Sequence, residues 1–573
     1  MKNLNLFAII STCIVLGGSL GSCSDETIDT TPVEFIPASI ICGDSAKIAQ
    51  FVNNIYSYLP RGYNRLEGNS MVASSIDEAV HAVKGTSEAE LWATGSWNAN
   101  YARDNAFSNC YTGIRRSFVF EEQILPYIDD IVMTSVGKNL YYGQMLFLRA
   151  YFNFELLKRY GGYPLVEKVL STNEDLQIPR STYDFCVDYI IGLCDKAAGL
   201  LPLSYVDNQL GRATKGAALA LKARVLLYAA SPLFNDSSKP EDHLEHGKYD
   251  PSKWEKAAEA SAIVINLKNT NDANVYSLYT AGTGYDAFFY TLTSNSEIIL
   301  SRMDAASNTV ERLNGPVSIT NGEGGTCPSL DLVNDYEMVT GVPFDWNDPT
   351  HAANPFTDRD PRFEKSILYN GATWMNGMEI ETFEGGKDLA GNKATRSGFY
   401  LRKFLNINAR WNAPTGTTQH CFPLLRYGEI LLNYAEAMNE AYGPDVDPKG
   451  YGMTARTAVQ LIRKRAGLTA NTDLLLNVPA GNRNVMREAL RHERRVELAF
   501  EEHRHLDVRR WKIAESTFNR PISGLKIVKN SDGIYTYTSQ IIEQRVFTPE
   551  MYLYPFPQSE ISRNKNLIQN TGW

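Results

Sequence analysis

The segment 140–160 does most to limit the folds open to this chain. Met145, Leu146, Phe147, Leu148, Tyr151, Phe152, Phe154, Leu156 and Leu157 fall around nearly the whole circumference of a helix, and Lys158-Arg159 brings charge at its end. A helix apolar on all sides has to be buried among other helices. Gly161-Gly162 then supplies a stop, and Pro164 prevents continuation. The core is therefore expected to be built from packed helices.

Similar signals recur further along the chain. The Ala-, Leu- and Val-rich segment 213–230 closes at Ser231-Pro232, and its small residues let neighbouring helices approach closely. Ser252 is placed to cap a further helix through Trp254, Ala257, Ala258, Ala262 and Ile263. From about residue 271 to 420 the periodicity is lost, and Gly, Asn, Thr, Pro and aromatics dominate. That composition predicts long loops with short strands, where binding surface commonly sits on a rigid scaffold. Helix returns at 424–441, 454–466 and 485–500. No clean 34-residue self-similarity runs through these segments.

The N-terminus carries an address. Lys2 opens a short basic start, residues 4–16 are mostly apolar, and small residues lead to Leu20-Gly21-Ser22-Cys23. The apolar run is shorter than the roughly 20 residues that span a bilayer, so it predicts a cleaved secretion signal. Leu-Gly-Ser-Cys resembles a bacterial lipobox, in which the thiol of Cys23 receives diacylglycerol and its acyl chains hold the protein on a membrane. The expected organisation is a signal peptide at 1–22, a lipidated tether at 23–45, a helical region at 46–270, and a region at 271–573 that includes the loop-rich insertion 271–420.

A net charge of −9 disfavours nucleic acid, whose phosphates need concentrated positive charge. An uncharged or weakly charged ligand fits better. The 31 Tyr and 8 Trp supply flat faces for stacking, although most belong in the core. Cys42, Cys110, Cys186, Cys194, Cys327 and Cys421 show no CxxC pair or metal-ligand spacing, which leaves buried free thiols as the expectation.

Five segments, in order, resemble the signatures of the SusD/RagB family of starch-utilisation D-like proteins. They are FLRAYFNFELLKRYGG at 147–162, then GRATKGAA at 211–218 with ARVLLY at 223–228. LRYGEILLNYAEA follows at 425–437, and ERRVELAFEEHR at 493–504 runs into DVRRW at 507–511. LYPFPQSE at 553–560 closes the series with Asn564 and QNTG at 569–572. Two departures are Glu502, where the family often has Gly, and the terminal Trp573, where Tyr or Phe is commoner. The resemblance implies a mostly α fold, with tetratricopeptide-like helix pairs as scaffold and a loop-rich region with short strands carrying the ligand site. It also implies a non-enzymatic lipoprotein, anchored in the outer membrane and facing the extracellular side. Such a protein captures glycan for a SusC-like TonB-dependent transporter, and the acidic Asp25-Glu26 after Cys23 resembles a surface-export tag.

Binding sugar without cleaving it calls for aromatic faces flanked by side chains that fork hydrogen bonds to hydroxyls. One segment with that mixture holds Asp77, Trp92, Trp97, Asn98, Tyr101 and Arg103, where the turn Gly95-Ser96 would present Trp97 outward; its position resembles the family's N-terminal binding loop. The other runs over 282–289 with Tyr285 and Asp286, followed by Trp346, with Trp374 and Trp411 as possible flanks. Trp254 and Trp511, on helical segments, are expected in the core. Peptide capture is an alternative, as in some relatives, and a glycoside hydrolase is another, although no local motif supports paired catalytic carboxylates.

Sharper motifs fail. The charged run 487–512 interleaves Glu488, Glu493, Glu497, Glu501, Glu502 and Asp507 with its arginines, and His492-Glu493 lacks the second histidine of HExxH. A scaffold helix held by ion pairs is the expectation there. No cofactor is expected. Asp445 and Asp447 could approach a calcium ion but do not make an EF-hand loop, and a solvated turn is the expectation.

Overall fold

The computed structural model describes residues 38–85, 87–206, 209–237, 244–280, 285, 287–409, 417–468 and 478–573. The signal segment, Cys23 and the tether as far as residue 37 lie outside the described residues, as do Asp286 and Trp411. Part of the segment expected as tether at 23–45 is described. Ala38–Cys42 is already helical, with Ile41 and Cys42 buried.

Eight scaffold helices carry the architecture: α1 Phe107–Val119, α2 Ser135–Tyr160, α3 Tyr183–Leu200, α4 Lys215–Ala230, α5 Lys253–Ile265, α6 Tyr427–Tyr442, α7 Ala455–Ala466 and α8 Arg483–Glu497. Each packs on the next from α1 to α6, and α6 then holds both α7 and α8. The contact of α5 with α6 bridges the whole loop-rich region, so that region is an excursion from a continuous helical stack.

Local chemistry sets the ends of these helices. In α2 the Thr134 side chain accepts the Gly137 N–H, and Gly161 closes the helix at φ 73°, a left-handed conformation that glycine adopts without strain. A Cβ on Gly162 would stand 2.1 Å from the Ser181 carbonyl oxygen, so only glycine lets the chain turn there. Ser252 precedes α5 as expected but its side chain makes no cap bond, because its backbone is already helical. The expected helix from residue 424 begins later. Residues Cys421–Arg426 form strand β2 against β1, Ile298–Met303, with Leu300 opposite Leu425.

The loop-rich region contains short strand pairs, as expected. Ala79–His81 pairs with Thr326–Pro328, and Ile367–Leu368 with Tyr400–Leu401. The longest pair among the described residues lies outside that region, a hairpin of β3, Ile522–Lys529, and β4, Tyr535–Glu543. It turns at Asp532-Gly533, with Gly533 at φ 80°.

The charged run forms the scaffold element expected of it. Glu497 accepts from Arg362 at 3.0 Å and Arg426 at 2.9 Å, and is also bonded by Arg465. Arg426 reaches Glu297 at 2.7 Å and Glu501 at 2.6 Å, and Lys403 reaches Glu501 at 2.8 Å. All of these side chains are buried, so pairing is what makes burial of the charges tolerable. The departure from the family pattern at Glu502 has a physical cost and a compensation. Its φ of 63° lies where glycine is favoured, and its carboxylate takes two hydrogen bonds from Arg65 Nε, at 2.8 and 3.0 Å.

The six described cysteines are free and buried. Among the described residues no helix is long and apolar enough to cross a membrane.

Candidate functional site

The segment around Trp97 folds inward. Gly95 does turn the chain at φ 75°, but the turn tucks against Val546, and Trp97 is only 4% exposed. Its ring meets Trp92 at 6.3 Å, Tyr554 at 5.3 Å and Trp573 at 4.7 Å. Trp92 is equally buried, edge-on to His505 and Tyr554. The expectation of an outward-facing Trp97 is therefore corrected: the C-terminal segment supplies rings that cover it. Asn98 spends its side-chain oxygen on the N–H groups of Asn100 and Tyr101, and Arg103 donates to the Ser96 carbonyl. Tyr101 alone among these aromatics stands out, at 68% exposed.

Asp77 is also structural in its contacts. Burial pushes its carboxyl up, but Arg495 and Arg504 outweigh burial and hold it well below the usual carboxylate range. The neighbouring Glu78 has the opposite balance, since burial and the Asp77 charge push it up to about 8.

Tyr285 lies in the buried charge network. Its hydroxyl donates to the Glu497 carbonyl at 2.7 Å and accepts from Lys403 Nζ at 2.6 Å, while Arg465 lies 5.2 Å over its ring. Both sides of the hydroxyl are used, and burial raises its pKa well above the ordinary value. The expectation of an accessible Tyr285 is corrected for this reason. Trp374 is likewise buried.

Trp346 behaves differently. It is half-buried, and its Nε1 donates to Asn334 Oδ1 at 3.0 Å, which fixes the ring. It belongs to a row of rings shared by the loop-rich region and the hairpin: Phe383 to Tyr535 at 5.7 Å, Tyr535 to Tyr537 at 6.5 Å, Tyr537 to Trp346 at 6.1 Å, and Trp346 to Phe344 at 5.0 Å. Lys529 Nζ lies 5.3 Å over Phe383 and 5.6 Å over Tyr535. Phe383, Tyr535, Tyr537 and Trp346 all keep partial exposure. A fixed row of half-open rings with a cation beside it has the means to cover the apolar faces of successive sugar units.

The structure does not gather Trp97, Tyr285 and Trp346 together, since the three have no ring partner in common. Tyr535, Tyr537 and Phe383 were missed from sequence. The signal that could have found two of them is Asp532-Gly533 between segments of alternating pattern, a hairpin signature that places Tyr535 and Tyr537 on one face.

The carboxylates of the acidic turn are engaged by the protein. Asp445 takes hydrogen bonds from Arg456 and the Gly481 N–H, and Asp447 from the N–H groups of Tyr451 and Gly452. Among the described residues no group of three or more His, Cys, Asp or Glu is placed to hold a metal ion.

Comparison with known proteins places this arrangement. A family model described as the SusD family matches residues 297–573, and one described as starch-binding associating with outer membrane matches 29–227. SusD-like protein P2 of Formosa agariphila is 27% identical over 447 residues, covering 74% of this chain and 72% of that one. A SusD-like protein of Bacteroides fragilis superimposes with a TM-score of 0.76 at 27% identity, covering 93% of this chain and 98% of that one. A SusD-like carbohydrate-binding protein of the same organism gives 0.72 at 24% identity, covering 92% and 100%, and speaks for the fold. With both halves matched, the five motifs in order and the helical stack shared, the chain belongs to the SusD/RagB family.

Proposed function

We propose that this chain is a non-enzymatic glycan-capture lipoprotein, anchored through Cys23 on the outer face of the outer membrane, that passes oligosaccharide to a SusC-like TonB-dependent transporter. The observation that carries the reading is the aromatic row Phe383–Tyr535–Tyr537–Trp346 on a SusD-family scaffold. Monomeric proteins rarely leave contiguous aromatic surface half-open without a use for it. Support for the class of ligand comes from the starch-binding description of the matching family and from a structural relative named as carbohydrate-binding. Support for the anchor comes from the apolar leader that ends in Leu-Gly-Ser-Cys.

Peptide capture is the second reading, and one observation favours it. Strand β4 pairs with β3 on one side, and no further strand joins the sheet among the described residues. A free edge of this kind can accept an extended peptide.

Calorimetric titration of the mature chain against starch, laminarin, xylan and mannan oligosaccharides tests both readings. The expected result is binding to a neutral glycan with no shortened product afterwards, and about a tenfold loss in Trp346→Ala or Tyr537→Ala. Product release would assign a hydrolase. Binding of unstructured peptides and of no glycan would assign peptide capture.

A further inference from the structure

Trp254 was expected in the core, and the structure places it at the core's margin, packed against it but still partly open. It is half-buried on the first turn of α5, at the wall of a trough of about 850 Å³, against about 570 Å³ for the cleft beside Phe107 and Tyr111. The trough follows from the helical stack: α5 packs on α6 and α6 on α8, and residues 232–237 and 249–252 form its rim. Its volume falls within the range of small-molecule sites.

The trough has the parts that hold a sugar. Tyr249, 49% exposed, and Trp254 supply two aromatic faces, and neither ring meets another aromatic ring among the described residues. No protein group among the described residues takes the Trp254 Nε1–H, which leaves that donor for solvent or ligand. The turn carrying both rings is held rigidly. Asn235 donates through Nδ2 to the Asp250 carbonyl at 2.9 Å, and its Oδ1 accepts the Asp250 N–H at 2.7 Å. Such a clamp lowers the ordering cost of binding.

On the α8 side, Arg487 makes a two-pronged contact with Glu440, at 2.7 and 2.6 Å. Its Nη1 also donates to Asn484 Oδ1 at 2.9 Å, so the guanidinium is fixed as a polar wall of the trough. Trp511 is nearly sealed at the same site, its Nε1 donating to Glu436 at 2.7 Å and Arg491 lying 5.3 Å over its ring. The charged side chains around the trough number four basic and four acidic, so no net field favours an ionic ligand.

We propose that this trough, between the 249–254 turn and helices α6 and α8, is a second saccharide-binding cleft that takes a neutral oligosaccharide. It shares no lining residue with the aromatic row of Trp346, and it rests on the glycan-capture reading above.

The mature lipoprotein in detergent is titrated with linear α-1,4-glucan, β-1,3-glucan, β-1,4-glucan, mannan and xylan hexasaccharides. Two saccharide sites per chain are expected. Trp254→Ala and Tyr249→Ala should each weaken one of them about tenfold, and the Trp346→Ala/Tyr537→Ala chain should keep that site alone. Saccharide should also change intrinsic fluorescence in the parent in a way lost in Trp254→Phe. If Trp254→Ala lowers the melting temperature, Tyr249→Ala at the rim and Arg487→Gln decide instead. A single site, abolished in Trp346→Ala and intact in Trp254→Ala and Tyr249→Ala, overturns the trough while leaving glycan capture standing. Binding of no hexasaccharide by the parent overturns the capture reading, and the trough with it.

Discussion

Helix α8 buries charge that hydropathy would leave outside and the β3–β4 hairpin leaves outside apolar side chains that hydropathy would bury, although Met486 and Leu490 of the one and Leu525 and Ile527 of the other are buried as hydropathy expects. The helix reads RNVMREALRHERRVE, and yet Glu493, Arg494, Arg495 and Glu497 are all buried. The hairpin carries Tyr535, Tyr537, Ile534 and Ile541, and yet Ile534 and Ile541 are over 60% exposed and both tyrosines half-open. Charge goes inside where a partner waits: Arg494 meets Asp507 and Asn433, and Glu493 meets Arg362 and Arg463. Apolar surface stays outside where a face is kept open. Hydropathy therefore assigns each element only in part, and complementarity assigns the rest.

The strongest way to break this comparison is to unpair the helix. Arg426→Met would leave Glu297, Glu497 and Glu501 short of a shared guanidinium in a buried site. The expected cost is roughly 3 to 5 kcal/mol, read as a fall in the urea midpoint. An unchanged midpoint would mean that the network is not what holds α8 in place.

Next comes Trp97→Ala. Sequence alone predicts a surface loop, and a much smaller effect than for Trp511→Ala. With both rings buried, the structure predicts similar losses of roughly 3 to 5 kcal/mol. A melting temperature for Trp97→Ala near that of the parent would restore the exposed-loop picture.

A pH series sharpens the electrostatic half. Glu78 is raised from 4.5 to about 8 in the folded chain, so the folded state binds more protons than the unfolded one across that window. Its contribution is fully present below about pH 4.5 and is lost as pH rises through about 8. Glu78→Gln cannot ionise, so its melting temperature should decline less between pH 5 and 9 than that of the parent. Parallel profiles would remove Glu78 from the account.

The smallest stability effect belongs to the open face. Trp346→Ala and Tyr537→Ala should each cost about 1 kcal/mol or less in stability, while carrying the tenfold affinity loss described above. A large drop in melting temperature for Tyr537→Ala would make the row a packing element instead of a platform.

Much of the scaffold was legible in sequence because its signals are local. Apolar residues around all of 140–160, the Gly161-Gly162 stop and the alanines of 213–230 act within a few turns of helix, and each reappears as a helix or its end. The end of the strand at Cys421–Arg426 was read as the start of a helix because its partner, Ile298–Met303, lies more than a hundred residues away. The candidate site was less legible still. Of the proposed aromatics, Trp346 and Tyr101 kept exposure, while Trp92, Trp97 and Tyr285 did not.

By itself the sequence determined the helical class, the order of the scaffold segments and the family, since periodicity, capping and motif order are properties of neighbouring residues. Tertiary structure alone decided which aromatics face water. Trp97 is closed by Tyr554 and Trp573, Tyr285 by Lys403 and Glu497, and Asp77 is neutralised by Arg495 across 418 residues of chain. Exposure belongs to the assembled surface, because a ring surrounded by Gly, Asn and Asp in sequence is covered or open according to what the distant chain brings against it.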